Sequence, residues 1–352
     1  MSDLHDVARY VFINDENELR SGWRVLLFFL CLFLVAALLS GLGNAVAILF
    51  PSIAFIFVAP AGADSSTPSQ FISLVFFPLS NLVAAGIASA ICARLLERRS
   101  LGSVGYKLHK GYLRDFVLGS PMGAATLAIA VGITASAGAV SFNVQTREWA
   151  PWLSGFLFGL LFFVIAAAAE ELIFRGFPFQ ALAHNQSGAT AIVITALLFS
   201  LAHLTNPGAS VLSSINTFLA GIWLGVACLL TRSLWLPTAL HWSWNFAMVF
   251  IFGLPVSGLT ELSRLSWLRG VVGEPAWLSG GGYGPEAGVA ATFALLLSTL
   301  AIWKSGLFTA SEDMLIAIRH GKPQPAIVSI NPAGPEPAEP ESALRVTDQD
   351  YD

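Results

Sequence analysis

The chain has 352 residues, 55% hydrophobic and only 11% charged, with a formal net charge of −4. Soluble domains carry about 25% charged residues, so this composition argues against a soluble fold and for a polytopic membrane protein. No basic stripe with interleaved aromatics is present, which argues against a nucleic-acid partner.

Residues 1–24 are polar and rich in Asp and Glu, without the basic start and early apolar core of a cleavable signal peptide. They read as a cytosolic segment, with the first span acting as its own insertion signal. Apolar stretches near the ~18 to 20 residues that a spanning helix needs then predict helices at about 25–49, 71–95, 116–139, 152–182, 189–204, 211–230, 236–252 and 287–303. The fold class expected is an all-α polytopic helical bundle of about eight transmembrane helices over residues 25–305. His184-Asn-Gln-Ser-Gly188 and Asn206-Pro207-Gly208 hold the residue types that stop one helix and start the next. Residues 306–352 form a tail whose Pro/Glu/Ala-rich end, Asn331 to Asp352, cannot bury a core and is expected to be disordered.

Lys and Arg concentrate in 1–24, in 94–114 and after Trp303. The positive-inside rule then places both termini in the cytoplasm, with Arg264 and Arg269 dissenting from the long loop 253–286. Cys31, Cys92 and Cys228 fall inside apolar spans with no CxxC spacing and read as small buried residues. Gly155-x3-Gly159 and Gly221-x3-Gly225 have the spacing that lets membrane helices approach closely, and read as packing within the bundle.

Between Glu148 and Arg232 the only Asp, Glu, Lys or Arg residues are Glu170, Glu171 and Arg175. Charges at membrane depth are costly and rare, so they are functional candidates. Glu171 and Arg175 are i and i+4 and share a helix face, whereas Glu170 sits about 100° away and is free for another role. Two further i, i+4 pairs follow, Phe199/His203 and His241/Asn245. Glu170 lies 16 residues before Gln186 and His203 lies 17 after it, which puts them level in an antiparallel hairpin if the helix continues past Arg175. Pro178 weakens that assumption, and His241 reaches the same level only if its helix starts deep. A buried carboxylate facing an imidazole can activate water, and a second His with an Asn amide can stabilise an oxyanion. Glu170, His203 and His241 are equally the ligand types of a catalytic zinc with one open position, although HExxH is absent.

EExxxR, FxxxH and HxxxN, in this order on successive apolar spans, closely resemble the CAAX-protease and bacteriocin-processing family of intramembrane proteases, which includes the eukaryotic prenyl-protein endopeptidases. Glu18-Leu-Arg-Ser-Gly-Trp-Arg24 before the first span is similar to bacterial members. The resemblance implies an eight-helix bundle with a conical catalytic cavity opening to the cytosol and membrane. It implies Glu170 and His203 as the pair that activates water, His241 and Asn245 as oxyanion stabilisers, and Glu171 with Arg175 in support. Phe199 reads as packing that shapes the cavity. The family is classed among metalloproteases, while the arrangement favours a glutamate mechanism without metal, and both stay open. The expected substrate is a membrane-associated or lipidated peptide or protein, CAAX-like or of another kind. A non-proteolytic scaffold or immunity protein binding a peptide in the same cavity is the alternative, and a proton-relaying transporter is a weaker one. Ser200 and Ser243 lack the Gly-flanked setting of a serine nucleophile.

Overall fold

The computed structural model describes residues 10–14, 17–57, 68–146, 148–260 and 262–319. The expected disorder of Asn331 to Asp352, the start of the N-terminal segment, and His5 and His320 lie outside the described residues. About 75% of the described residues are helical.

Eight helical segments coincide with the eight predicted spans: α1 (Ser21–Leu49), α2 (Pro68–Leu96), α3 (Tyr112–Ser136), α4 (Trp149–Glu171) with α5 (Phe177–Asn185), α6 (Gly188–Ala202), α7 (Val211–Thr231), α8 (Trp235–Phe246) and α9 (Val289–Lys304). A short amphipathic helix, α10 (Glu312–Arg319), comes after them. Among the described residues, five stretches are long and apolar enough to cross a membrane by length and composition: α1, residues 74–96 of α2, α3, residues 152–184 and α7. α6 and α9 are apolar but run only 15 and 16 residues, and α8 has 12 before it widens into a π-helical turn, Ala247–Ile251. The protein is integral to a membrane.

The turns work as their residues require. Ser187 caps α6 by accepting from the Thr190 N–H, and Ser210 forms a reciprocal capping box with Ser213 at the start of α7. One element departs from the all-helical expectation. Val140–Val144 (β1) pairs antiparallel with Leu268–Val272 (β2), with Val140 opposite Val272. These five-residue strands sit in stretches that read as loops, because their pairing partner is more than a hundred positions away and no local hairpin signal announces it.

The core forms where α3, α7, α8 and α9 meet, around Leu127, Trp223, Leu240, Trp244 and Ala291. α3 and α8 approach each other closely. A methyl added to Gly119 would stand 2.8 Å from the Ala239 Cβ, and one on Gly123 would overlap the Leu240 carbonyl oxygen and the Ser243 hydroxyl. Backbone cannot step aside as a side chain can, so Gly123→Ala is expected to cost about 1–3 kcal/mol, read as a lowered thermal midpoint of the detergent-purified protein. The predicted small-residue pairs also meet the chain's own helices. Gly221 lies against Ala196, Gly225 against Ile192, and Gly159 against the Phe250 ring.

The Glu18–Arg24 motif has a visible task. Arg24, 1% exposed, bonds Glu18 at 2.9 Å and Glu97 at 3.0 Å, and Arg99 joins Glu97 at 3.3 Å. This network ties the start of α1 to the end of α2, at the end of the bundle that carries the basic loop 94–114. All three cysteines are free, and Cys92 and Cys228 are buried.

Candidate active site

Glu170 and Glu171 close α4, and Pro178 shapes the turns beyond them. Proline has no N–H to continue the helix and its ring crowds the preceding turn. The chain widens into a π-helical turn over Leu172–Gly176, is distorted at Gly176 (ψ −119°), and continues as α5 with Pro178 in its first turn. Such turns recur at functional sites because they re-aim side chains. The helix does continue past Arg175, widened and bent but not ended, and Glu170 and His203 come together: Glu170 Oε2 lies 4.0 Å from His203 Nε2.

The two adjacent carboxylates face different surroundings. Glu171 is fully buried, and its Oε1 accepts from Arg175 Nη1 at 3.1 Å and from His241 Nδ1 at 2.9 Å. Arg175 also donates to the Gly221 carbonyl at 3.3 Å and lies 4.4 Å over the Phe199 ring. Among the described residues, Glu171 Oε2 and Arg175 Nε have no hydrogen-bond partner, so the pair is not satisfied to its full capacity. Glu170 is 36% exposed as a side chain, but its Oε2 is buried without a partner. That atom points at two imidazoles, His203 Nε2 at 4.0 Å and His241 Nε2 at 3.7 Å.

The ring nitrogens can be assigned from their partners. His203 Nδ1 is 2.8 Å from the Phe199 carbonyl oxygen, which only accepts, so Nδ1 carries the hydrogen. His241 Nδ1 faces a carboxylate oxygen and is likewise the donor. In the neutral rings both Nε2 atoms then present lone pairs to Glu170 Oε2. Three acceptors facing one another accommodate a donor or a positive charge between them: a proton, a water molecule or a cation.

A metal ion would use the same three atoms. Bonds of about 2.0–2.1 Å to a tetrahedral zinc would put its donors about 3.4 Å apart, while Oε2 stands 3.7 and 4.0 Å from the two nitrogens. Among the described residues no group of three or more His, Cys, Asp or Glu side chains is arranged to hold a metal ion as it stands. The donor types and the unpartnered carboxylate oxygen suit a metal, and both nitrogens would have to move closer to that oxygen around it.

α8 reaches the required level because the loop before α3 folds into the bundle. Gly105, at φ +116°, presses so closely on Leu234 that a side chain there would collide with it. The Leu234 N–H and the Ser233 hydroxyl both donate to the Gly105 carbonyl, and Trp235 Nε1 donates to the Lys107 carbonyl. The Tyr106 hydroxyl bonds Thr238 Oγ1 at 2.6 Å and the Ala168 carbonyl at 3.2 Å. α8 thus starts deep, and His241 meets both glutamates.

A cavity of about 470 Å³ holds the site. Glu170, His203, His241 and Asn245 line it, with Phe162, Phe163, Ile173 and Phe174 as apolar wall. Asn245 is one turn beyond His241 and half-buried. Phe199 touches both imidazoles, with ring centroids 4.5 Å from His203 and 5.9 Å from His241. Ser200 and Ser243 do not line the cavity, and their hydroxyls donate to the Ser214 and Leu240 carbonyls. Buried His109 holds Ser233 and plays no part here.

Sequence reasoning missed two features. The Glu171–His241 bond was not foreseen, although two carboxylates 100° apart could have suggested one carboxylate per face. Glu286 also lines the cavity; it accepts from the Ser257 N–H (2.6 Å), the Ser257 hydroxyl (2.8 Å) and Trp244 Nε1 (3.2 Å). A lone Glu at the end of a long loop carried no signal.

Residues 150–247 match the family model described as type II CAAX prenyl endopeptidase, Rce1-like. This is the family whose motifs the sequence resembles, and the matched segment holds all three of them. No curated protein matches the chain.

Proposed function

We propose, from a family match that spans Glu170, Glu171, Arg175, His203, His241 and Asn245, that this chain is an intramembrane endopeptidase. It hydrolyses a peptide bond of a membrane-associated substrate, CAAX-like or of another kind. The observation that carries this reading is the buried Glu170 Oε2, without a hydrogen-bond partner among the described residues, facing two imidazole nitrogens in a cavity lined by apolar helices. The proposed setting is a bacterial inner membrane, crossed by about eight helices with both termini cytoplasmic.

The chemistry follows from the tautomers. A water molecule held between Glu170 Oε2 and His203 Nε2 gives its proton to Glu170 as its oxygen attacks the scissile carbonyl. The new oxyanion accepts from the Asn245 amide and from His241 Nε2, which donates when that ring is protonated. Glu171, held by Arg175, fixes the His241 ring through Nδ1 and supports its positive charge. The C–N bond then breaks, and the proton on Glu170 passes to the departing amine. A bound zinc would be held by Glu170, His203 and His241 and would supply Lewis-acid activation of the water.

The test is cleavage of a membrane-peptide library by the purified full-length protein, with metal analysis and chelator treatment alongside. Asn245→Ala is expected to lower kcat by about 10²–10³-fold, the usual cost of one oxyanion donor, with KM little changed. Unaltered kcat in that variant would remove Asn245 from the oxyanion site.

A further inference from the structure

Among the described residues, two carboxylates line the cavity, and Glu170 is the one that faces the imidazoles. The other, Glu286, lies outside residues 150–247 and takes no part in the mechanism above. Both of its oxygens accept. Oε2 takes the Ser257 N–H at 2.6 Å and the Ser257 hydroxyl at 2.8 Å, and Oε1 takes Trp244 Nε1 at 3.2 Å. An amide N–H and an indole N–H can only donate, so this cradle suits the ionised carboxylate. All three donors are nevertheless neutral. Among the described residues no Lys, Arg or His pairs with Glu286, whereas Glu97 and Glu171 each hold an arginine.

The position of Glu286 is fixed from three helices. Asn216 on α7 donates to the Glu286 and Gly288 carbonyls at 2.8 and 2.9 Å, and the Thr292 hydroxyl on α9 donates to Asn216 Oδ1 at 2.6 Å. Trp244 stands on α8 between His241 and Asn245, so its bond couples the Glu286 carboxylate to the helix that carries both. Ser257 holds φ +48°, a left-handed conformation that non-glycine residues rarely adopt, and in it both Ser257 donors reach one oxygen. A latch for the loop would need acceptors only, and an amide oxygen would serve. A charge without a counter-ion in a mostly apolar cavity is costly, and a cation brought by a ligand would remove that cost.

We propose that Glu286 is a specificity-determining residue that receives a cationic group of the peptide, a Lys or Arg side chain or a free amino terminus, within the cavity that holds Glu170. Oε1 accepts a single bond and has capacity for that further donor. The inference rests on the protease reading above and names a substrate class for it: apolar peptides that carry a positive charge at a fixed distance from the bond to be cut.

The test measures peptide binding to the full-length protein in uncharged detergent by fluorescence anisotropy, with Glu170→Gln present throughout so that bound peptide is not cut. The probes are amino-acetylated apolar peptides in pairs that differ only in Lys or norleucine at one position, with that position moved along the peptide. At one position the Lys peptide is expected to bind about 10–100-fold more tightly, the range of a hydrogen bond to a charged group. Adding Glu286→Gln, which keeps an acceptor for Ser257 and Trp244, should bring that ratio close to one; a mere loop latch would leave it unmoved. Tighter binding gained by freeing the amino terminus of a norleucine peptide, and lost with Glu286→Gln, assigns the site to a terminal amine. Equal binding of every pair and of free and acetylated termini overturns the proposal with Glu286 intact, so the outcome does not hang on the folding of the variant. A preference that persists in Glu286→Gln overturns it as well. Failure of the protease reading shows separately, as wild-type protein that binds the Lys peptides and cleaves none.

Discussion

Glu170→Gln is expected to lower cleavage by about 10³–10⁴-fold, toward the upper end of what a general base contributes, while the protein still folds and inserts. The substitution keeps the shape and removes only proton affinity. Folding should survive because both neighbouring Nε2 atoms are acceptors in the neutral rings, so the new amide N–H groups find partners where the carboxylate had none. His203→Ala should fall into the same range, and the double variant should be little worse than either single one, because groups that act as a unit are not additive. A chain that served as a peptide-binding scaffold would behave differently: Glu170→Gln would keep its function in cells.

Arg175→Met is expected to be the most damaging change to stability. Arg175 and Glu171 are both 0% exposed, and Glu171 has no other cationic partner within hydrogen-bonding reach when His241 is neutral. Leaving one partner of a buried ion pair unpaired costs about 3–5 kcal/mol, and the Phe199 ring also loses the guanidinium that rests on it. The purified protein should show a lower thermal midpoint and a lower yield from membranes. Glu171→Gln/Arg175→Met removes both charges and should regain most of that loss, because a buried pair replaced by neutral groups is often close to neutral in stability. Its activity should stay low, since the introduced amide oxygen still accepts from His241 Nδ1 but no longer supports a charged ring. A double variant as unstable as Arg175→Met alone would mean that packing, not charge pairing, is what Arg175 provides.

The helices were legible because apolar length is a strong signal, and the Ser187 and Ser210 caps stand where small polar residues interrupt it. The level match of Glu170 with His203 was also legible by counting from the turn at Gln186. The two residues meet although the π-helical turn and the kink at Gly176 lie between Glu170 and the turn at Gln186, because the helix runs on through both. The depth of His241 could not be read from spacing, because it depends on residues 105–109 folding in from a stretch that looks like any basic loop. The strand pair β1–β2 and the place of Glu286 were hidden for the same reason. Each is set by a long-range contact, and local composition does not encode one.

The proposed catalysis uses water activated by a carboxylate, without a covalent intermediate. Mass spectrometry of a single turnover in heavy-oxygen water tests this most directly. Wild-type protein should place a solvent oxygen in the new carboxyl terminus with no substrate adduct on the enzyme at any time, and Glu170→Gln should yield no product. An acyl adduct on the protein, or product formed at the wild-type rate by Glu170→Gln, would contradict it.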